Sequence, residues 1–308
     1  MSNSATAEQP ARLPPWLKVK LAGGKDFERI KAVSARRSLH TVCEEARCPN
    51  IAECWGGQKG AATATFMLLG DECTRACRFC SVSSKARPDA PDPEEPMKLA
   101  ETLSDMGLDY AVITTVCRDD LPDQGAGHVA RVIREAKRRN PKLLIEILMQ
   151  DFQGRRDLLE IVAAAGPDVL AHNLETVERL TPDVRDHRAS YRQSLEVLAL
   201  CREIAPKTPS KSSLMLGLGE TKDEVLAAFY DLRQAGVQIL TIGQYLRPSR
   251  AKRNLPVAEF VSPERFEDYG RRAREMGFLH VASGPFVRSS YRAGELFLKD
   301  YLGANHLG

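Results

Sequence analysis

The sequence lacks any apolar run long enough to cross a bilayer. Its longest apolar stretches, such as residues 62–69, fall well short of the roughly 20 residues that a transmembrane helix needs. It also lacks an excess of charge of either sign, because 44 Lys and Arg residues against 41 Asp and Glu residues leave a net charge of +3. We therefore expect neither a membrane nor a nucleic acid as a partner.

Targeting signals are also lacking in residues 1–15, which hold neither the apolar core of a secretory signal nor the Arg-rich amphipathic pattern of a transit peptide. On this composition we expect a cytoplasmic location. Disulfides are disfavoured there, so clustered cysteines more often bind metal or carry out redox chemistry. Six of the eight cysteines lie between residues 43 and 80, whereas Cys117 and Cys201 stand alone.

From residue 61 onward, short apolar segments alternate with helical patterns. This order predicts parallel βαβ units and an α/β fold, namely a partial (β/α)6 TIM-like barrel. A doubly wound open sheet is the alternative, because periodicity does not report how a sheet closes. The predicted strands are 63–69, 110–115, 143–148, 169–171, 212–216 and 237–242, with 278–282 as a further candidate; the predicted helices are 94–106, 128–139, 157–165, 193–204, 222–235 and 263–276.

The first cysteine group is Cys73, Cys77 and Cys80, spaced C-x3-C-x2-C directly after the first predicted strand. Three thiolates on one loop can bind three irons of a [4Fe–4S] cube and leave the fourth iron open. The spacing resembles that of the radical S-adenosylmethionine (SAM) superfamily, in which SAM binds that iron and is cleaved to an adenosyl radical. The alternative is a zinc loop that lacks its fourth ligand.

Other segments resemble the SAM-binding elements of that superfamily. Residues 213–220 resemble its fifth-strand glycine motif, although Ser213 replaces the usual first glycine. Without the resemblance, the glycine motif is as readily a simple turn, the polar residues Asn173 and Glu175 a helix cap, and Arg185 a solvated surface residue. The residues that the resemblance assigns to SAM binding are Phe79, Asn173, Glu175, Arg185, Gly217 and Glu220.

The second cysteine group is Cys43, Cys48 and Cys54, spaced C-x4-C-x5-C upstream of the predicted barrel. By itself this spacing is compatible with a zinc loop, with free thiols or with a second iron–sulfur cluster. Because the first group already indicates iron–sulfur chemistry, the second-cluster interpretation is favoured.

Several further motifs, in matching order, resemble the lipoyl synthase family over residues 13–294. Cys117 is a departure, because it stands where members of that family carry Asp, and a small packed residue is its favoured role. The matching motifs are residues 41–55 around the second cysteine group, Gly70 to Thr74, Arg118 to Asp123, residues 240–246, residues 281–285 and the Arg-Ser-Ser-Tyr-Arg sequence of residues 288–292.

The resemblance implies that two sulfur atoms are inserted at C6 and C8 of a protein-bound octanoyl chain. It implies two [4Fe–4S] clusters and SAM as cofactors, with the second, auxiliary cluster as sulfur donor. It also implies that Ser290 completes the auxiliary site, with Ser289 as the neighbouring alternative. A serine oxygen is a weaker ligand for iron than a thiolate. A weakly held iron suits a cluster that must open and give up sulfide.

The resemblance further implies three parts and a set of partners. The parts are an extension, 1–60, with the auxiliary-cluster cysteines, a barrel, 61–283, and a C-terminal segment, 284–308, with the serine motif. The partners are octanoylated lipoyl carrier domains (2-oxoacid dehydrogenase E2 subunits and glycine cleavage H protein), an electron donor and a cluster-repair protein. A basic face on the predicted helix 128–139 is a candidate docking surface, although a solvated helix face is favoured.

Two other functions stay open at this point. One is a radical enzyme whose second cluster only relays electrons or anchors substrate. The other is a non-catalytic protein that uses both cysteine groups to bind zinc.

Overall fold

The computed structural model describes residues 13–18, 50, 64–108, 110–249 and 251–290. The strands in these ranges are β1 (Ala64–Leu68), β2 (Glu72–Cys73), β3 (Ser83–Ser84), β4 (Tyr110–Thr115), β5 (Leu144–Leu148), β6 (Val169–Ala171), β7 (Ser210–Leu216), β8 (Ile239–Gln244) and β9 (His280–Gly284). The α-helices are α1 (Glu95–Met106), α2 (Ala126–Arg139), α3 (Arg156–Ala163), α4 (Thr181–Val184), α5 (Tyr191–Ile204), α6 (Lys222–Gln234) and α7 (Pro263–Glu275). Short 3-10 turns cover Pro15–Leu17, Phe152–Gly154 and Glu178–Leu180.

In the described part of the chain, one parallel sheet has the order β1-β4-β5-β6-β7-β8-β9, and β2 pairs only with β3. Each strand of the sheet therefore pairs with the next one along the chain, and the direction never reverses. A doubly wound sheet reverses at a switch point, so that alternative is wrong and the partial barrel is confirmed. The predicted strands and helices of the barrel are present, with ends within two residues of the predicted ones.

Strand alternation divides the core into an outer and an inner layer. On β4, Ala111 and Ile113 face the surrounding helices, whereas Tyr110 and Val112 face the barrel interior. The outer layer is the larger one. It packs the first half of the sheet against α1–α3 and the second half against α5–α7. Burial of this apolar surface, worth about 25 cal/mol per Å², holds the helices on the sheet.

Helix α6 begins at a capping box that fixes the turn after β7. The Thr221 hydroxyl accepts a hydrogen bond from the backbone N–H of Glu224, and the Glu224 carboxylate accepts one from the N–H of Thr221 at 2.8 Å. No helix among the described residues combines the length and the hydropathy that a membrane span requires.

A buried ion pair lies inside the barrel, near the amino ends of the strands. Nζ of Lys211 is 2.7 Å from each carboxylate oxygen of Glu146, and the hydroxyl of Tyr110 donates to the same carboxylate at 2.7 Å. All three residues are buried. Burial, and then the neighbouring Glu146 carboxylate, raise the pKa of Tyr110.

We expect Glu146→Gln to destabilise the cofactor-free protein by about 3 kcal/mol, because it leaves the Lys211 ammonium buried without its anion. Urea unfolding followed by circular dichroism measures the loss. Glu160→Gln is the control, since Glu160 pairs with Arg156 on the surface and exposed pairs contribute only about 0–1 kcal/mol. Equal losses in the two variants would contradict the expectation.

Candidate active site at the carboxyl end of the barrel

The loop that carries the first cysteine group lies at the carboxyl end of β1. None of its three half-buried thiols forms a disulfide, and backbone N–H groups point at all three sulfurs. Such donors favour the thiolate, the form in which cysteine binds metal. The donors and their distances are Arg75 N and Cys117 N to Cys73 Sγ at 3.4 and 3.3 Å, Asp186 N to Cys77 Sγ at 3.3 Å, and Val82 N to Cys80 Sγ at 3.4 Å.

The three thiols differ in pKa. A hydrogen bond from the Cys117 thiol lowers the pKa of Cys73 to about 6, with burial acting against it. Burial raises the pKa of Cys77, and it raises the pKa of Cys80 to about 12. Because metal binds the thiolate form, metal binding to this loop must release thiol protons.

The donor set of this loop fits an iron–sulfur cube better than a single ion. Across the described ranges, no three Cys, His, Asp or Glu side chains converge closely enough to hold one metal ion. In a cube each cysteine binds a different iron, so the three sulfurs need not converge on one point. The zinc interpretation of Cys73, Cys77 and Cys80 is correspondingly disfavoured.

Cys117 lies at the end of β4 with its thiol against Cys73. Its backbone N–H donates to the Cys73 sulfur, and its carbonyl accepts from the N–H of Thr74 at 3.0 Å. The contact with Cys73, and then burial, raise the pKa of Cys117. The structure therefore places this residue beside the proposed cluster ligands.

The charged motif after β4 is internally paired, and its arginine is buried. The Arg118 guanidinium is 1% exposed, donates to both carboxylate oxygens of Asp120 at 2.8 Å, and donates to the carbonyl of Leu69 at 3.2 Å. Asp123 accepts hydrogen bonds at 3.0 Å from two backbone N–H groups at the start of α2. These hydrogen bonds fasten the end of β4 to β1 and α2.

Asn173 and Glu175 lie after β6 and contact each other, with Nδ2 of Asn173 3.1 Å from Oε1 of Glu175. Glu175 has a φ of 71°, a conformation that few residues other than glycine adopt. Backbone hydrogen bonds to Ser213 and Met215 of β7 hold it there. Burial raises the pKa of Glu175, and the positive charge of Arg185 opposes that shift. Strain held by neighbouring structure is typical of functional sites.

Arg185 is 9% exposed, so its guanidinium is not solvated. Nη1 donates to Oγ of Ser194 at 2.6 Å, whereas the buried Nε has no hydrogen-bond partner among the described residues. His172 lies behind Ser194, with Nδ1 3.0 Å from the carbonyl of Met149 and Nε2 3.0 Å from Oγ of Ser194. Because a carbonyl only accepts, Nδ1 carries the proton, Nε2 accepts from the serine hydroxyl, and the serine oxygen accepts from Arg185.

Gly217 and Glu220 form the turn after β7. Gly217 has a φ of 101°, and an added Cβ would lie 2.4 Å from the carbonyl oxygen of Glu259, so only glycine fits there. The carboxylate of Glu220 accepts from the backbone N–H groups of Gly217 at 2.5 Å and Leu218 at 2.9 Å. Burial raises the pKa of Glu220. Glu220 thus holds the turn together, and its contact with SAM stays a prediction, as does that of the half-buried Phe79 in the cysteine loop.

The segment after β9 runs back against β8. The carbonyl of Val287 approaches Gly243 so closely that an added Cβ would lie 1.9 Å from its oxygen. Nη1 of Arg288 donates to the carbonyl of Gln244 at 3.3 Å. These contacts place the half-buried Ser289 and Ser290 near the carboxyl end of the barrel.

The second cysteine group, Cys43, Cys48 and Cys54, lies outside the described residues. Asn50, which stands between Cys48 and Cys54 in the sequence, is described and buried. Its Nδ2 donates to the carbonyl of Phe286 at 2.5 Å. Asn50 is therefore attached to the segment that carries Ser290.

We expect His172 to make the stability of the cofactor-free protein pH-dependent. Burial, and then the charge of Arg185, lower the pKa of His172 from 6.5 to about 4. The unfolded chain therefore binds more protons between these values, so this stability is fully present above pH 6.5 and is lost as the pH falls toward 4. At about 1.4 kcal/mol per unit of pKa, the loss is about 3 kcal/mol.

Urea unfolding at a series of pH values from 7.5 to 4 tests this expectation. His172→Gln should lose about 3 kcal/mol less than the parent over that range. The exposed His187 supplies the control variant, His187→Gln, which should follow the parent. A parent and a His172→Gln variant with the same pH dependence would contradict it.

Two family models match the chain. The model of the radical SAM superfamily matches residues 67–232, and the model of the N-terminal domain of lipoyl synthase matches residues 3–48. Among solved structures, the [FeFe]-hydrogenase maturase HydG aligns with a TM-score of 0.55 and 13% identity, over 88% of this chain and 75% of that chain. SuiB from Streptococcus suis, bound to precursor peptide SuiA, aligns with a TM-score of 0.56 and 8% identity, over 87% of this chain and 55% of that chain. At these identities the likeness supports the barrel fold only.

Several lipoyl synthases are much more similar to this chain in sequence than the solved structures are. The mitochondrial lipoyl synthase of Culex quinquefasciatus is 56% identical over 292 residues, which cover 94% of this chain and 76% of the relative. That of Candida tropicalis is 53% identical over 298 residues, 97% of this chain and 78% of the relative. That of Vitis vinifera is 52% identical over 302 residues, 97% of this chain and 76% of the relative.

These relatives correct one prediction. All three are named mitochondrial, so the predicted cytoplasmic location is wrong. That prediction rested on the composition of residues 1–15, and neither the barrel fold nor the cysteine chemistry constrains the composition of that segment.

The family predicted from the sequence agrees with these findings. More than half of the aligned residues are identical to those of named lipoyl synthases along nearly the whole chain, and the three-cysteine loop lies at the carboxyl end of a radical SAM barrel. The chain belongs to the lipoyl synthase family of the radical SAM superfamily, whose cofactors are SAM and [4Fe–4S] clusters.

Proposed function

We propose that this protein forms the lipoyl group by inserting two sulfur atoms at C6 and C8 of a protein-bound octanoyl chain. The observation that carries the proposal is the identity of more than half of the aligned residues to lipoyl synthases along nearly the whole chain. The chemistry is consistent with a radical enzyme. C–H bonds on an octanoyl chain are not activated, so acid–base groups do not break them and a radical must abstract the hydrogen.

Cys73, Cys77 and Cys80 are the residues that would hold the first [4Fe–4S] cluster. Together with SAM, that cluster supplies an adenosyl radical when it is bound. The protein orients SAM through side chains around the loop. Nε of Arg185 is a buried donor with no partner among the described residues, which suits the SAM carboxylate, and Ser194 holds the guanidinium from its other side. Asn173 and Glu175 offer polar groups at the end of β6 for the ribose and the amino group.

Cys43, Cys48, Cys54 and Ser290 are proposed to hold the auxiliary cluster, which supplies sulfur for the two new C–S bonds when it is bound. The contact between Asn50 and Phe286 supports this assignment, because Asn50 stands between Cys48 and Cys54 in the sequence and Phe286 stands four residues before Ser290. We also propose a division of the chain into an extension (1–60), a barrel (61–283) and a C-terminal segment (284–308).

Lipoyl synthases act on lipoyl carrier proteins, and we propose octanoylated E2 subunits and the glycine cleavage H protein as the carriers here. An electron donor and a cluster-repair protein complete the proposed partners. The basic face of α2 is not favoured for docking, because most of its charge is already paired. Its ion pairs are Lys137 with Asp168 at 2.8 Å, Arg138 with Glu135 at 2.5 Å and Arg139 with Glu101 at 2.8 Å.

Anaerobic incubation of the reconstituted full chain with an octanoyl-lysine peptide, a reductant and SAM tests the function. Mass spectrometry should show a peptide that has gained two sulfurs in place of two hydrogens, and Cys73→Ala should give none. An unmodified peptide, with both clusters verified by iron and sulfide counts, would contradict the proposal. Both clusters intact after turnover would instead favour the alternative in which the second cluster only relays electrons.

A pair of serine variants tests the auxiliary site. We expect Ser290→Ala to form no product with two sulfurs while still cleaving SAM, because SAM cleavage depends on the first cluster. Ser289→Ala is the matched control and should keep product formation. The assignment is wrong if the two variants exchange these behaviours or if both form normal product.

A further inference from the structure

Arg75, between the first two cysteines of the loop, is the most thoroughly bonded side chain of the site. It is 4% exposed, and its guanidinium lies between two carboxylates that each accept two hydrogen bonds from it. Such bidentate pairs are the strongest that arginine makes. The distances are Nε and Nη2 to Asp119 at 3.0 and 2.8 Å, and Nη1 and Nη2 to Asp151 at 2.6 and 2.8 Å.

The residues on either side of Arg75 are held in the same way. The hydroxyl of Thr74 donates to Asp119 at 2.7 Å, and the backbone N–H of Ala76 donates to Asp186 at 2.9 Å. Arg188 links the two ends, since it donates to the carbonyl of Thr74 at 2.6 Å and to Asp186 at 2.8 Å. Every residue between Cys73 and Cys77 is therefore bonded to a carboxylate.

The three carboxylates, which we call the carboxylate cradle, are Asp119, Asp151 and Asp186. They follow β4, β5 and α4 respectively. Three successive segments at the carboxyl end of the barrel therefore bind one short loop. All three are buried or nearly so. Since a buried charge that loses its partner is costly, the cradle and Arg75 strongly favour one arrangement of the loop.

We propose that Arg75 is a positioning residue that holds the cysteine loop in its cluster-binding conformation before the cluster arrives. This inference rests on the proposed cluster site at Cys73, Cys77 and Cys80. A free loop loses backbone entropy at each residue when it becomes ordered, so a loop already fixed by Arg75 binds its cluster more tightly and releases it more slowly. The guanidinium charge acts on the Cys73 sulfur, so it would favour the reduced state of a cluster bound there.

Chelator challenge tests the proposal on the full chain with Cys43, Cys48 and Cys54 replaced by Ala, so that only the first site can be filled. After anaerobic reconstitution with ferrous iron and sulfide, the rate of iron transfer to a ferrous chelator is measured. We expect Arg75→Gln and Asp151→Asn to release iron at least about tenfold faster than the parent. The matched control, Glu146→Gln, breaks a buried ion pair away from the loop and should release iron at the parent rate.

Redox titration followed by electron paramagnetic resonance adds a readout that a loss of stability alone would not produce. Arg75→Gln removes a positive charge and should shift the cluster potential in the negative direction. Asp151→Asn removes a negative charge and should shift it in the positive direction. Arg75→Lys keeps the charge but cannot form a bidentate pair with each of the two carboxylates, so it should release iron quickly with little change in potential. It also provides a second test if Arg75→Gln does not fold.

The proposal is overturned if Arg75→Gln and Asp151→Asn release iron at the parent rate, or if Glu146→Gln releases it equally fast. Shifts of potential in the same direction for the two loop variants would also overturn it. A parent that binds no iron, or a Cys73→Ala variant that binds as much iron as the parent, would instead show that the proposed cluster site itself is wrong.

Discussion

The constraint on which this molecule depends is the single winding direction of its parallel sheet. Because each strand pairs with the next one along the chain, every strand ends at the same edge. The loops after β1, β4, β5, β6 and β7 therefore converge, although their residues lie far apart in the sequence. A cysteine loop that is too short to form a core of its own is thereby surrounded by charged groups that follow three other strands, β4, β5 and β6.

Buried guanidinium groups are the second organising feature of this edge. Arg118 fastens β4 to β1, and Arg75 fastens the cysteine loop to the carboxylate cradle. Arg185 is held by Ser194, and its Nε has no partner among the described residues. Because a buried charged group needs compensating partners, the first two arginines serve structure, whereas Arg185 is the one that we propose contacts a ligand. The same residue type thus has different roles, which its partners decide.

Much of the fold was predictable because local periodicity reports which face of an element is buried. The strands of the barrel and the long helices carry that signal, and their ends were predicted to within two residues. The cysteine spacing indicated iron–sulfur chemistry because ligand geometry is a local property of a short loop. Side-chain partners were not predictable in this way. Cys117 was interpreted as a packed residue and Arg75 was overlooked, because their partners lie 44 and 76 residues away.

The sequence by itself determined the alternation of strands and helices, the two cysteine groups and the family, since each of these is carried by local spacing or by motifs in order. Only the tertiary structure decided the sheet order, the burial of Arg118 and the turn-forming role of Glu220. It also decided that Asn50 and Phe286, 236 residues apart, are in contact. The physical reason is that hydrogen bonds and ion pairs depend on distance in space, and that distance is set by the sheet order and not by separation along the chain.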